Sequence, residues 1–199
     1  MRVSTFGEYR GTLTDRLVPV GDLASLIGDV VFVILGALFV ALAAQISIPL
    51  DPVPITAQTL AVLLVGATGG ARRGGSSLLF YLAAGGLGLP FFSPDGGPHT
   101  FGYLAGFAAA ALVVGFLAER GWDRSYRRAV VAMLAGNIVI YVFGLPWLGY
   151  YFDDMSFSAT LTAGLTPFIP GDVAKLLIAA AVLPSAWRLT MRGPASDKD

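Results

Sequence analysis

The sequence of 199 residues contains no cysteine, a single histidine and only 13% charged residues. Without cysteine it can form no disulfide, no thiolate nucleophile and no cysteine-ligated metal site. His99 alone cannot build a site that needs several histidines, and we expect no metal. Soluble domains carry about 25% charged residues. This scarcity of charge indicates that water is not the main solvent of the chain.

Apolar residues are abundant instead, at 55% of the chain, with a mean hydropathy of +0.72. A helix needs about 20 apolar residues to cross a bilayer. Six segments approach that length: 28–46, 56–70, 74–90, 101–119, 129–148 and 169–187. We therefore predict an all-α integral membrane protein with six transmembrane helices. The second and third segments are short and rich in glycine, which favours tilted or broken helices.

The predicted organisation is a leader at 1–27, a six-helix membrane domain at 28–190 and a tail at 191–199. One alternative is that the first apolar run belongs to a cleaved signal peptide, because Ala41-Leu-Ala43 resembles a signal-peptidase site. However, the run begins far from Met1, acidic residues precede it and five further apolar segments follow. We therefore interpret it as the first membrane helix.

Basic residues predict the topology, because Lys and Arg in short loops stay in the cytoplasm. Of the 13 basic residues, 12 lie before helix 1, between helices 2 and 3, between helices 4 and 5, or after helix 6: Arg2, Arg10, Arg16, Arg72, Arg73, Arg120, Arg124, Arg127, Arg128, Arg188, Arg192 and Lys198. The loops on the opposite side carry aspartates and no basic residue. Both termini are therefore predicted to be cytoplasmic, and no basic surface remains for a nucleic acid.

The thirteenth basic residue, Lys175, lies inside the sixth apolar segment. Burying its charge in a membrane costs roughly 2.5–3.5 kcal/mol even on lenient scales, so it is a candidate functional residue. Pro170 suits the first turn of a helix, which places Asp172 and Lys175 on one face of the first two turns. Such a helix start attracts carboxylates. The alternatives are a simple ion pair and a lysine that snorkels towards the membrane surface.

Polar and non-helical segments collect at the other ends of the predicted helices. Residues 48–54 contain three prolines and predict a stiff extended segment. The third and fifth helices each end in a Gly-Leu-Pro-aromatic sequence, at 85–92 and 144–148. Non-helical backbone at membrane depth is tolerated where it lines a cavity. Its aromatic residues also suit an interfacial belt.

Several polar side chains fall at the same helix ends, with two lying deeper: Gln45, Thr56, Gln58 and Tyr103, then Tyr81 and Asn137. Singly, each is typical of an interhelical hydrogen bond. Together with an acid-base pair, they indicate a small polar cavity open to the outside. Ala37 and Ala41 form a small-xxx-small step on helix 1, which predicts a close helix contact.

Three long motifs carry a family resemblance: Ala44-Gln-Ile-Ser-Ile-Pro-Leu-Asp-Pro-Val-Pro-Ile-Thr-Ala-Gln-Thr-Leu60, Phe80-Tyr-Leu-Ala-Ala-Gly-Gly-Leu-Gly-Leu-Pro-Phe91 followed by Gly97-Pro-His-Thr-Phe-Gly-Tyr-Leu-Ala-Gly-Phe107, and Pro167-Phe-Ile-Pro-Gly-Asp-Val-Ala-Lys-Leu-Leu177. They resemble the signatures of the BioY family, the biotin-binding S-components of energy-coupling factor transporters. The resemblance implies an S-component-like bundle of six helices that captures biotin outside the cell.

The resemblance also implies roles for individual residues. Asp172 and Lys175 match the ligand-contacting pair, Tyr103 lies beside the ligand, and the proline-rich loop is a flap over the pocket. The sequence Gly97-Pro-His-Thr-Phe-Gly-Tyr103 departs from the family pattern by one inserted residue and by His99, which affects the expected loop contacts. The expected biotin-binding residues are Asp172, Lys175, Tyr103, Gln45, Thr56, Gln58, Tyr81, Asp95 and Phe92.

Partners follow from the same resemblance. Ala37 and Ala41 are expected to form the docking surface for a transmembrane coupling subunit. Two ABC ATPase subunits are expected to use ATP, because this chain has no phosphate-binding loop and we expect no cofactor of its own. The expected location is the cytoplasmic membrane of a prokaryote, with several membrane passes and contact with lipid.

Three alternatives stay open at this point. One is an S-component for a different vitamin. Another is an intramembrane enzyme that acts on a small carboxylate with Asp172, Lys175 or His99 as acid and base, although no activated nucleophile supports it. A third is a structural or assembly subunit, which leaves the Asp172 and Lys175 pair without a role. We predict no enzymatic activity.

Overall fold

The computed structural model describes residues 11–17, 22–153 and 155–191. Most of them are helical, in seven elements: α1 (Leu13–Leu17), α2 (Asp22–Gln45), α3 (Gln58–Gly86), α4 (Phe101–Glu119), α5 (Tyr126–Tyr151), α6 (Phe157–Gly164) and α7 (Ile169–Met191). Two short antiparallel strands, β1 (Ser47–Ile48) and β2 (Ile55–Thr56), join α2 to α3. The rest of the predicted leader and the tail beyond 191 lie outside the described residues.

Four stretches of the described chain are long and apolar enough to cross a membrane: Leu23–Gln45, Pro98–Glu119, Tyr126–Tyr151 and Phe157–Thr190. The first coincides with α2, which starts at Asp22 rather than at the predicted residue 28. Its outer surface carries exposed aliphatic side chains such as Leu35 and Leu42, at 59% and 67% exposure. A protein surface this apolar suits contact with lipid, so the prediction of a multi-pass helical membrane protein is confirmed.

Element α3 folds back on itself at Gly70, where the backbone leaves the helical conformation with φ 78° and ψ −179°. Gln58 Nε2 donates a hydrogen bond of 2.6 Å to the Tyr81 hydroxyl. A straight helix would separate these two residues by about 34 Å, so the halves before and after Gly70 are antiparallel. The two short helices predicted at 56–70 and 74–90 are therefore present, joined by a one-residue reversal.

Glycine allows this tight reversal. A Cβ atom at Gly74 would lie 2.8 Å from the Gly66 Cα, so the two halves touch backbone to backbone. The reversal also leaves backbone N–H and C=O groups at the two helix ends without partners inside a helix. The Ala71 amide donates to Glu119 Oε1 at 2.8 Å, and the Thr14 hydroxyl donates to the Thr68 carbonyl at 2.8 Å. Neighbouring elements α4 and α1 thus complete the hydrogen bonding of the turn.

Charges from the leader and α2 surround the same turn. Arg73 pairs with Asp15 and, at 2.5 Å, with Asp29, and Arg72 also pairs with Asp29. Burial raises the pKa of Asp15, but hydrogen bonds from Thr12 and Arg73 outweigh burial and hold that pKa below its usual value. We call this end of the bundle, around Gly70, the turn end. The opposite end contains the cavity described in the next section, and we call it the cavity end.

The expected docking surface on α2 is buried in the structure. Ala37 is fully buried and Ala41 is 7% exposed, within the main apolar core. Beside them, a Cβ at Gly36 would lie 2.7 Å from Ser77 Oγ. Small residues here let α2 pack tightly against α3. In this structure the small size of Ala37 and Ala41 serves packing within the bundle, and their docking of a coupling subunit stays a prediction.

A buried carboxylate ties α7 to the connection between α4 and α5 at the turn end. Asp123 has no solvent exposure and accepts a hydrogen bond of 2.5 Å from Trp187 Nε1. Burial raises the pKa of Asp123 to about 6, although the hydrogen bond from Trp187 acts in the opposite direction. Arg124 stacks over the Trp187 ring, 4.6 Å from its centroid, and donates to the Gly11 carbonyl at 3.1 Å.

Replacing Gly70 with alanine should destabilise the fold. The conformation at Gly70 costs other residues roughly 1–3 kcal/mol, and the new Cβ would lie 2.7 Å from Glu119 Oε1. Thermal unfolding of the detergent-solubilised protein measures the effect. Gly86→Ala is the matched control, since a Cβ there meets nothing within 4 Å. Equal stability of the two variants would contradict the role given to Gly70.

Asp123 should make stability depend on pH. Its pKa of about 6 lies above the ordinary value of 3.8, so the folded state binds more protons than the unfolded state between these values. Stability therefore falls as pH rises through about 4 to 6, by roughly 2–3 kcal/mol. Asp123→Asn should remove this contribution, so that the variant gains stability relative to the parent between pH 4 and pH 7.

The measurement for Asp123 is thermal unfolding at several pH values. Asp153→Asn replaces an exposed aspartate and serves as the control. Parallel pH profiles for the parent and for Asp123→Asn would contradict the assignment.

Candidate functional site

A cavity of about 220 Å³ lies at the cavity end, between α3, α4, α5 and α7. Its lining is mostly apolar, with a few polar groups, as is typical of small-molecule sites. The lining residues are Val53, Pro54, Thr56, Gln58, Thr59, Phe92, Ser93, Gly96, Gly97, Pro98, Thr100, Phe101, Tyr103, Leu104, Phe107, Ile140, Tyr141, Phe168 and Asp172.

The proline-rich segment forms one side of this cavity. Pairing of β1 with β2 turns residues 48–55 back on themselves, and Val53 and Pro54 face the cavity. Val53 is only 6% exposed. The Ser93 hydroxyl donates to Ser47 Oγ at 3.2 Å and joins this segment to the loop after α3.

The loop after α3 is held by Gln45 and Phe92. Gln45 Nε2 donates to the carbonyls of Pro90 at 3.3 Å and Phe92 at 3.4 Å. The Phe92 ring lines the cavity and meets the Tyr81 ring edge-on, with centroids 5.5 Å apart. A Cβ at Gly85 would lie 2.4 Å from the Phe92 ring, so glycine makes room for it.

Three polar side chains form a chain along the α3 wall. The Thr56 hydroxyl donates to Gln58 Oε1 at 2.9 Å, and Gln58 Nε2 donates to the Tyr81 hydroxyl at 2.6 Å. Thr56 and Gln58 line the cavity, while Tyr81 lies fully buried behind them. The amide of Gln58 is therefore held in one orientation by its neighbours.

The buried Asp172 and the half-buried Lys175 of α7 meet α3 and α5 at the cavity wall. Asp172 lines the cavity, is 6% exposed and accepts a hydrogen bond from the Tyr141 hydroxyl. Lys175 Nζ donates to Thr59 Oγ1 at 3.0 Å and lies 3.5 Å from Asp172 Oδ1. Lys175 is not among the lining residues, but its ammonium group contacts two residues that are, Thr59 and Asp172.

Tyr103 completes the wall on the α4 side. Its hydroxyl donates to the Gly164 carbonyl at 2.9 Å, and its ring meets the Tyr141 ring edge-on at 6.3 Å. A Cβ at Gly144 would lie 2.3 Å from the Tyr103 ring. Glycine at this position therefore allows Tyr103 to lie directly against α5.

The structure brings together most of the residues expected from the sequence. Asp172, Tyr103, Thr56, Gln58 and Phe92 line the cavity. Three expected residues are outside the lining: Lys175 and Tyr81 hydrogen-bond to wall residues, and the exposed Gln45 binds the loop after α3. Asp95 is exposed and outside the lining, although the next two residues, Gly96 and Gly97, face the cavity. A role for Asp95 in biotin binding therefore stays a prediction.

Tyr141 and Thr59 were not predicted as site residues. Tyr141 lies within the fifth apolar run, four residues after Asn137 and therefore on the same helix face. The four-residue spacing of Asn137 and Tyr141 is the sequence feature that could have identified Tyr141 as a site residue. His99 has ring contacts at 5.8 Å with Tyr151 and Phe152 and does not line the cavity, whereas both of its neighbours in sequence do.

The BioY family model matches residues 14–192. The chain belongs to the BioY family. It is 36% identical over 166 residues to the biotin transporter BioY of Rhizobium etli, covering 74% of this chain and 88% of that protein. It is 40% identical over 125 residues to the probable biotin transporter BioY of Lysinibacillus sphaericus, covering 60% of this chain and 64% of that protein. These BioY relatives are named as transporters.

A solved structure shares the fold of this BioY-family chain. It is the S-component for biotin from an ECF-type ABC transporter, with a TM-score of 0.74 at 22% identity. The match covers 87% of this chain and 96% of the solved chain. The arrangement of helices is therefore that of an S-component.

Removing the charge of Lys175 should destabilise the protein through Asp172. Lys175→Met keeps much of the side-chain length but leaves the buried carboxylate without its cation, which typically costs about 3–5 kcal/mol. Adding Asp172→Asn in the same chain should restore most of the lost stability. Thermal unfolding in detergent compares both variants with the parent. A double variant that is less stable than Lys175→Met alone would show that the two groups are not coupled.

Proposed function

We propose that this chain captures biotin at the outer face of the membrane and serves in its uptake as the substrate-binding S-component of an ECF-type ABC transporter. The carrying observation is a small, mostly apolar cavity with a buried carboxylate, Asp172, in its wall. BioY relatives that are named biotin transporters support the choice of ligand.

The charge of the wall favours one ligand orientation. Biotin carries ureido N–H donors at its fused rings and a carboxylate at the end of its aliphatic tail. Asp172 accepts hydrogen bonds and repels a second carboxylate. The ureido ring therefore belongs beside Asp172 and Thr59, with Lys175 behind them to balance the charge. The tail carboxylate points towards the loop of Ser93, Gly96 and Gly97.

Charge placement supports the membrane orientation. Counting both halves of α3, six helical segments traverse the bilayer, with both termini in the cytoplasm. Arg72 and Arg73 lie at the turn end, as does Arg124 beside Trp187. The loops near the cavity carry aspartates instead. Under the positive-inside rule the turn end is cytoplasmic and the cavity opens outside.

Uptake needs partners, because this sequence contains no phosphate-binding loop. A transmembrane coupling subunit and two ABC ATPase subunits would supply the energy, in the cytoplasmic membrane of a prokaryote. The chain itself would need no cofactor. Its membrane domain at 28–190, with the flanking leader and tail, serves binding rather than catalysis, as the names of its transporter relatives also indicate.

The binding test is a titration of the detergent-solubilised protein with biotin. Asp172→Asn keeps the shape of the side chain but removes its charge, and should weaken binding at least about tenfold, because a charge-assisted hydrogen bond contributes roughly 1.5–3 kcal/mol. Asp153→Asn is the matched control on an exposed loop and should bind as the parent does.

Three outcomes would contradict the proposal. The parent protein could fail to bind biotin, it could bind a different vitamin more tightly, or Asp172→Asn could bind as tightly as the parent. Mass spectrometry of small molecules that co-purify with the protein distinguishes the first two. Conversion of a bound molecule during the assay would instead indicate an enzyme.

A further inference from the structure

The buried carboxylate of Asp172 needs hydrogen-bond donors, because an unpaired buried charge is costly. Lys175 Nζ lies 3.5 Å from Oδ1, the outer limit of a hydrogen bond, and makes its better contact with Thr59 at 3.0 Å. Tyr141 donates its hydroxyl to Oδ2. Among the described residues, Tyr141 and Lys175 are the side chains that donate to this carboxylate, one to each oxygen.

Tyr141 is itself held firmly. Its ring packs edge-on against Tyr103 at 6.3 Å with an interplanar angle of 87°. Tyr103 is fixed in turn by its hydrogen bond of 2.9 Å to the Gly164 carbonyl and by contact with Gly144. A tyrosine whose ring is packed delivers its hydroxyl to a defined point, whereas the terminal torsion of an aspartate is broad.

We propose that Tyr141 is a positioning residue for ligand recognition. It fixes Oδ2 of Asp172, so that Oδ1, beside Lys175 and Thr59, is presented to the cavity as an acceptor in one orientation. An N–H donor of the ligand then meets a pre-oriented partner. This inference rests on the proposed function, since it takes the ligand to be biotin and its ureido N–H to bind Asp172.

The orientation of the acid is thus set from α5 rather than from α7, which carries it. Lys175 remains as a partner of Asp172 when the phenol is removed, so Tyr141→Phe should still fold. The variant loses the hydrogen bond that restricts rotation of the Asp172 carboxylate before the ligand binds. Pre-orientation contributes to affinity because less freedom remains to be lost on binding.

The variant Tyr141→Phe keeps the packed ring and removes only the hydroxyl. It should weaken biotin binding about tenfold, the effect expected for one hydrogen bond to a charged group. Tyr150→Phe is the matched control, because Tyr150 lies on the same helix and is 75% exposed. Its affinity should equal that of the parent. Thermal unfolding in detergent checks that both tyrosine variants remain folded at the temperature of the titration.

A spectroscopic measurement separates positioning from a packing role. The carboxylate stretching band of Asp172 is identified in infrared difference spectra by its loss in Asp172→Asn. In the ligand-free protein, this band should shift in Tyr141→Phe and stay in place in Tyr150→Phe. If Tyr141 acted only through packing and made no hydrogen bond to Asp172, its replacement would weaken binding but leave the band unshifted.

Weaker binding together with a shifted band supports the inference. An unshifted band, or unchanged affinity in Tyr141→Phe, would overturn it while the parent still binds biotin. A parent that does not bind biotin would overturn the proposed function, and the ligand-positioning role with it, whatever the band shows.

Discussion

Backbone reversal at Gly70 determines which side chains can meet at the cavity. Because the first half of α3 returns antiparallel to the second, Gln58 comes within 2.6 Å of Tyr81, and Thr59 reaches Lys175 at 3.0 Å. Two short helical segments thereby supply a polar wall at one end of the bundle. At the turn end, the same reversal leaves backbone groups without partners inside a helix. Side chains of α1 and α4 form hydrogen bonds with these groups.

Charge inside the bundle is tolerated because each ionic group has several partners. Lys175 has Thr59 and Asp172, while Asp172 has Lys175 and Tyr141. These contacts come from three different helices, so the pair also couples α3, α5 and α7 around the cavity. The low dielectric of the interior strengthens satisfied contacts and penalises missing ones. A site of this kind is therefore sensitive to the loss of any single partner.

Helix positions and the special status of Lys175 could be predicted from the sequence, because apolar run length and a charge within such a run are local signals. Contacts between helices could not. A small-xxx-small step shows that something packs closely at Ala37 and Ala41, but not whether it is a neighbouring helix or another protein. Tyr141 was missed because a phenol in an apolar run is also typical of membrane-embedded packing, and only the fold brings it to Asp172.

Contacts with lipid and contacts with protein together determine the position of helix α2. Only 28% of its most apolar stretch is buried inside the protein, so most of that stretch lies at the apolar surface of the bundle, which suits contact with lipid. Polar contacts hold both ends. Asp29 pairs with Arg72 and Arg73 at the turn end, and Gln45 binds the carbonyls of the loop after α3 at the cavity end. Because lipid does not select one face of an apolar helix, these end contacts and the close packing at Ala37 determine which face of α2 turns towards α3.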